Sequence, residues 1–208
     1  MRKLVLVMMA LAMVITASIA QEKRYGIESA IIKRNSVIKV PAAQMEQTIP
    51  STQYFADYGR KESGESTMNM QGQTFSVFVM MKDDFVYSAN LTTKQGTKVK
   101  LSSMVDDYKS INYSNLTDEV IKKYQIEKKG NEKILGKDCI IYDLTISVQG
   151  QSVKTTVSVW QGITLKSSVI MSGTTMTDEA IEITEGAQIA KEKFELPEGI
   201  TFTEMNPQ

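Results

Sequence analysis

From residue 138 to 184, apolar and polar residues alternate through four short runs separated by Gly-containing turns, and few folds accommodate that pattern. Ile140, Tyr142, Leu144, Ile146 and Val148 alternate with Ile141, Asp143, Thr145 and Ser147. Gln149-Gly150-Gln151 follows, and then Val153, Val157 and Val159 are set against Lys154, Thr156 and Ser158. After Gln161-Gly162, Ile163, Leu165, Val169 and Met171 alternate with Thr164, Lys166 and Ser168. Ser172-Gly173 turns into a last run ending near Thr184. A period of two puts each residue type on one face of an extended strand. The block therefore predicts a four-stranded antiparallel meander with one apolar face.

Parity constrains the turns, because a one-residue slip sends every apolar side chain to the wrong face. A two-residue turn at Gln161-Gly162 would pair Trp160 with Ile163 and leave Val157 opposite Lys166. A three-residue loop, Trp160-Gln161-Gly162, pairs Val159 with Ile163, Val157 with Leu165 and Val153 with Val169, with Gly162 in the left-handed position such loops favour. The expectation is that Trp160 lies in the loop, outside the strands. The same test at 149–151 admits two or four loop residues and rejects three.

The first half reads similarly. Tyr25 to Val40 is an extended run made partly polar by Lys33, Arg34 and Asn35. Pro41 to Pro50 reads as a connection, and 53–58 and 62–70 as strands. Gly72 leads into Phe75, Val77, Val79 and Met81, and Asp83-Asp84 into Phe85, Tyr87, Ala89 and Leu91. Two helices interrupt the strands. Leu101, Met104, Val105 and Tyr108 share one helical face, with Ser102 or Ser103 as cap. Leu116, Val120, Ile121 and Tyr124 form a second stripe, with Asp118 and Glu119 in its first turn and Lys122 and Lys123 near its end, as the helix dipole favours. No linker or composition break divides residues 21–208, which predicts a single domain.

Residues 1–20 carry the layout of a secretory signal peptide: Arg2-Lys3, an apolar run from Leu4 to Ile15, and small residues at Ser18 and Ala20. Twelve apolar residues are too few for a membrane span of about 20. Cleavage after Ala20 would leave a chain with 22 basic and 24 acidic residues. No lipobox cysteine follows the cut, and no later segment is apolar enough to span a membrane. The expected location is the periplasm or the exterior.

Composition excludes several chemistries. The chain has no His and one Cys, so Ser-His-Asp and Cys-His sets, His-ligated metals and intrachain disulfides are ruled out. Charge is balanced at 24 basic and 24 acidic residues, giving nucleic acid no basic surface to meet. Asp83-Asp84, Asp106-Asp107 and Asp178-Glu179 are adjacent acids, but neighbours on a strand face opposite ways, and all three pairs read as solvated turn or helix surface. None fits a calcium loop. Cys139, between acidic neighbours and without a base, reads as a buried inert thiol. Sequons at Asn90, Asn112 and Asn115 matter only where the host glycosylates them. No cofactor is implied, and no catalytic residue is assigned. An enzyme would need carboxylates gathered from distant positions.

Two features point to apolar binding. Met68, Met70, Met80, Met81, Met171 and Met176 fall in expected strands, and methionine lines adaptable apolar surfaces as readily as it fills cores. In the strand at 74–81, Phe78 and Met80 add large apolar groups to the face opposite Phe75, Val77, Val79 and Met81. A sheet wet on one side has no use for them, so helices cover that face, or it lines a cavity or contact surface.

Gly136-Lys137-Asp138-Cys139, the segment Val159-Trp160-Gln161-Gly162-Ile163-Thr164-Leu165-Lys166 and the closing Phe194-Glu195-Leu196-Pro197-Glu198-Gly199 resemble the periplasmic lipoprotein-carrier superfamily of LolA-like and LolB-like proteins and their uncharacterised envelope relatives. Tyr54-Phe55-Ala56-Asp57-Tyr58-Gly59-Arg60-Lys61 is similar to the same relatives. The resemblance implies a curved antiparallel half-barrel with helices on its concave side, where carriers hold acyl chains. No strong helix stands at the mature N-terminus, and no position matches the carriers' lid-holding arginine.

The reading is a mainly β protein of the α+β kind: a half-barrel sheet with two short helices packed on it. Its expected function is non-catalytic binding of lipid or lipoprotein acyl chains in the sheet's concavity, with Phe78, Met80, Tyr87, Trp160 and Met171 lining or rimming the site. The alternative is a structural or protein-binding envelope module with Trp160 as anchor.

Overall fold

A computed structural model describes residues 23–70, 72–100, 111–148 and 151–205. The expected signal peptide and the helix expected over 101–108 lie outside the described residues. The strands are β1 (Ala30–Val40), β2 (Met45–Ala56), β3 (Lys61–Met70), β4 (Gln73–Lys82), β5 (Phe85–Asn90), β6 (Gln95–Lys100), β7 (Glu127–Ile134), β8 (Lys137–Val148), β9 (Gln151–Trp160), β10 (Ile163–Met171), β11 (Thr174–Glu185) and β12 (Thr201–Glu204). They form one open, curved sheet in the order β12-β6-β5-β4-β3-β2-β1-β11-β10-β9-β8-β7. Every pairing is antiparallel except that of β12 with β6.

The meander of the C-terminal half is β8 to β11, adjacent in chain order. Val148 pairs with Gln151, which sets Ile146 against Val153 as parity requires. The turn after β9 differs from expectation. Trp160 pairs with Ile163, so the turn has two residues and Trp160 ends the strand. Thr164 pairs with Val159 and Lys166 with Ser158, leaving Leu165 as an extra residue. This bulge restores parity inside β10, so that Ser167 meets Val157 and Val169 meets Thr155. Parity was the right constraint, but it is met in the strand and not in the loop.

The segment expected as a connection, Pro41 to Pro50, is mostly strand. Only Pro41–Ala43 forms a short 3-10 turn, closed by Gln44 at φ 48°. Met45 then pairs with Val40, and β2 follows β1 along its whole length to the Ala30–Phe55 pair. Pro50 is tolerated because pairing with β3 begins only at Ser51.

Cross-strand partners share a face. Ser36 pairs with Asp178, Asp178 with Ser167, Ser167 with Val157, and Val157 with Tyr142. Ile38 pairs with Met176, Met176 with Val169, Val169 with Thr155, and Thr155 with Leu144. One helix, α1 (Asp118–Tyr124), packs on this face, here termed the inner face. Thr117 caps it by accepting the Val120 N–H at 3.3 Å. Asp118 and Glu119 occupy its first turn and Lys122 and Lys123 its last, as the sequence predicts. Its Tyr124 joins Ile126, Leu144, Val157 and Val159 in a buried cluster, with Leu116 and Val120 packed against it. Ile121, expected on the buried stripe, is exposed.

The outer face carries the row Lys33, Thr52, Glu65, Phe78, Ala89 and Gly96. The C-terminal segment crosses it. Leu196, Ile200 and Phe202 pack on Phe78, Met80 and Ala89. The segment is fixed by Ser63 Oγ, which donates to the Lys193 carbonyl, and by Lys193 Nζ, 2.6 Å from Glu65 Oε1. Gly96 is required beneath it, because a Cβ there would come within 2.6 Å of the Phe202 ring.

Candidate functional site

Three of the four apolar clusters on the sheet lie away from the one that Tyr25 joins with Ile32, Phe55 and Leu165. Over β8 and β9, α1 and residues 111–116 supply a second layer. Over β4 and β5, the C-terminal segment does so. The third surface is a row across the inner face. Buried Ile38, Ile49, Met68 and Met176 run with half-buried Val40, Phe75 and Val169, and every described member comes from β1, β2, β3, β4, β10 or β11. Six strands at about 4.8 Å spacing make this row about 24 Å wide. Two methionines and a phenylalanine in it give a soft, adaptable surface.

A polar set adjoins the row. Arg34 lies two positions from Ser36 and four from Ile38, on the same face of β1. Its Nη2 donates to the Thr164 carbonyl, two strands away on β10. Its Nη1 is 3.1 Å from Asp178 Oδ2, while Asp178 Oδ1 accepts from Ser36 Oγ at 2.7 Å. Buried Ser51 pairs with Arg34, and buried Ser167 with Asp178. The sequence reading placed Asp178 on a solvated surface; instead, both members of this ion pair are largely withdrawn from water. Glu179, next in sequence, faces outward and is exposed, as strand alternation demands. Nothing local marks Asp178 as buried, since its partner lies 144 positions away in the chain.

A second buried polar group closes one end of the sheet. Arg24 Nη1 meets Glu62 Oε2 at 3.1 Å, with side-chain exposures of 6% and 2%. The same guanidinium group donates to the Gly59 carbonyl, Tyr25 Oη donates to Glu62 Oε2 at 3.1 Å, and Gln53 Nε2 to Glu62 Oε1 at 2.6 Å. Burial pushes the Glu62 carboxyl above the usual carboxylate range, against the pull of Arg24, Gln53 and Tyr25. Backbone bonds from Gly26 N–H to the Gln161 carbonyl (2.9 Å) and from Arg24 N–H to the Tyr58 carbonyl (3.0 Å) tie residues 24–26 across two turns. Gly162, at φ 80°, lies against the Arg24 carbonyl and Ser114 Oγ, where a Cβ has no room. This group is a structural clasp, with every Glu62 oxygen already occupied by protein donors.

The five residues expected to line a ligand site do not converge. Phe78 and Met80 are buried on the outer face beneath Leu196 and Ile200. Tyr87 is beside them, its ring 5.2 Å from Phe202 and at 89° to it. Trp160 is half-buried at the hairpin end of the sheet, with Lys137 Nζ 4.7 Å above its ring. Met171 shares the inner face with Val169, at the far end of β10 from Trp160. The two-sided apolar character of β4 thus has its counterpart in the C-terminal segment.

Cys139 is fully buried, and burial, with Glu132 and Asp138 adding, pushes its thiol up. Asp83 and Asp84 form an exposed turn, both at positive φ; Asp106 and Asp107 lie outside the described residues. Among the described residues no group of three or more metal-ligating side chains occurs. No described helix is long and apolar enough to cross a membrane.

No family model matches the sequence, and no curated protein matches it. Solved structures do. An uncharacterised conserved protein from Thermus thermophilus is similar over 86% of this chain and 91% of that one, with 8% identity and a TM-score of 0.51. A putative outer membrane lipoprotein-sorting protein domain from Vibrio parahaemolyticus is matched over 82% and 91%, with 12% identity and a TM-score of 0.42. The Mycobacterium tuberculosis lipoprotein LppX is matched over 79% and 91%, with 11% identity and a TM-score of 0.40. The likeness to the Thermus protein is one of fold.

Proposed function

We propose that the protein is a non-catalytic binding protein of the cell envelope that takes an apolar ligand, the acyl chains of a lipid or lipoprotein, on the inner face of its sheet. The observation that carries this reading is the row from Val169 to Phe75. It joins six strands through Ile38, Ile49, Met68 and Met176 with Val40, Phe75 and Val169 beside them, a continuous and flexible apolar lining. Its buried members include Met68 and Met176, flexible side chains that can repack around an acyl chain, a chemically matched guest. Export through a signal peptide cleaved after Ala20 is part of the proposal. Met171, at the end of the row, is the member of the sequence-derived set best placed to touch such a ligand. Phe78, Met80, Tyr87 and Trp160 would act through the outer face or the hairpin end.

The test is to express the precursor, purify the mature protein from the periplasm and weigh it by native mass spectrometry. An N-terminus at Gln21 and an added mass that disappears on denaturation support the reading. A bare polypeptide mass, still bare after incubation with envelope lipids, removes it. A protein-binding module is the second reading. It is favoured by Ile170 and Ile181, which stand 63% and 51% exposed on the neighbouring strands β10 and β11.

A further inference from the structure

The C-terminal segment is held by the sheet without belonging to its core. From Ile181 to Met205 no residue is buried; each is exposed or half-buried. The residues beneath it are the reverse, with Phe78, Met80 and Ala89 at 3%, 2% and 0% exposure. A segment with no interior residues of its own opens at a fraction of the global unfolding free energy.

Its attachment is discrete. The Gly186 N–H donates to the Ser29 carbonyl at 2.9 Å, and Ser29 Oγ donates to the Ala187 carbonyl at 3.0 Å. Lys193 is the next anchor, on Ser63 and Glu65. Gln188 and Ala190, between these anchors, are exposed and form a hinge. Beyond the hinge, Phe202 stands edge-on to Tyr87 and fills the space over Gly96. Glu204 Oε2 is 3.0 Å from Lys98 Nζ, and the Met205 N–H donates to the Lys98 carbonyl at 2.9 Å. Between these contacts β12 pairs in parallel with β6 through four residues, Thr201 to Glu204. Without it, β6 would present unpaired backbone groups beside an apolar strip, a template for another strand.

These contacts seat a short peptide in a preformed socket. The same segment on a second copy carries the same side chains in the same order, so it can make the same contacts. Reciprocal exchange between two copies leaves no socket empty and closes a two-fold dimer.

We propose that the C-terminal segment is a strap that opens as a unit at Gln188–Ala190, and that the socket on β4, β5 and β6 accepts the strap of a second copy in place of its own. A tethered strap has an effective concentration in the millimolar range, so the closed monomer prevails in dilute solution and the exchanged dimer forms when copies are crowded to about 1 mM. The inner face takes no part, and the inference stands apart from the acyl-binding reading.

The test uses the full mature chain. Thr97 and Thr203 are partners in the β6–β12 pairing, and Cys139 is buried. Isotopically heavy Thr97→Cys protein is mixed with light Thr203→Cys protein at about 1 mM and at about 10 μM, and each mixture is treated with a short bis-maleimide. At the higher concentration, heavy-to-light links from position 97 to position 203 should exceed 97–97 and 203–203 links about tenfold, and dilution should abolish that excess. A chain carrying both substitutions should link within itself in dilute solution. If it does, and the concentrated mixture shows no excess of 97–203 links, the exchange is overturned. If it does not, the strap is not seated on β6 and the proposal falls with its premise. Hydrogen exchange of the unmodified protein reads the opening directly. Amides of 201–204 should exchange at least about tenfold faster than those of β8–β11, and equal protection overturns independent opening.

Discussion

Arg24 and Glu62, 38 positions apart, meet at 3.1 Å with almost no exposure to solvent, and their pairing fastens the start of the described chain to the β2–β3 turn. Removing one partner leaves a buried charge uncompensated. Arg24→Met is expected to cost about 3–5 kcal/mol, read from the urea unfolding midpoint. Replacing both residues with Met should recover much of that loss. In Arg24→Met, Glu62 stays buried without its cation, so its folded-state pKa is raised above the unfolded value. The variant should therefore be most stable at acid pH, below the unfolded value, and lose stability as pH rises through the folded one. A deficit independent of pH between about 4 and 8 would show that Glu62 is not the strained partner.

Gly96 lies under Phe202 and Ile200, so even one added carbon must displace them. Gly96→Ala should cost about 1–3 kcal/mol. It should also loosen residues 196–204, seen as faster hydrogen exchange there than in β8–β11. Deleting the chain after Glu195 should uncover Phe78, Met80 and Ala89 and produce binding of a hydrophobic dye. An unaltered dye signal would mean the outer face is closed by some other part of the protein.

Trp160 is the sole tryptophan, and it reports on the hairpin end where Gly26 bonds to Gln161. Its emission should shift in Arg24→Met and stay unmoved when an acyl ligand binds the inner face. A tryptophan introduced by Phe75→Trp, within the row, should respond to that ligand. A ligand-driven shift at Trp160 itself would move the site to the hairpin end.

Cys139 should resist iodoacetamide in the native protein at about pH 8, because burial keeps it protonated and out of reach. Alkylation should follow unfolding and quicken in destabilised variants such as Arg24→Met. Prompt stoichiometric modification of the native protein would contradict its burial.

The strand pattern was legible wherever side chains alternate cleanly. β4, β5 and β8 to β11 follow from period two, and α1 from its apolar stripe and charge order. β2 was partly hidden by Pro41 and Pro50, because proline reads as a connection until one sees which neighbour lacks pairing. β6, β7 and β12 are short or highly charged, and their strand state depends on the neighbours they find. The position of Trp160 was misjudged because a bulge at Leu165 satisfies parity as well as a longer loop does. The candidate site was less legible still. Phe78 and Met80 announce a covered outer face, but not that Leu196 and Ile200 cover it.

The period of two, and with it a mainly β sheet, is written in the chain alone, as is the absence of histidine and disulfide chemistry. Those properties are local or additive, fixed by each residue and its near neighbours. Folding was needed to bring Arg34 to Asp178 and Thr164, to bring Arg24 to Glu62, and to gather Ile38, Ile49, Met68 and Met176 from four strands into one apolar row. The two ion pairs join residues 38 and 144 positions apart. Their energies depend on withdrawal from water, which no segment of the chain possesses until the whole sheet has assembled.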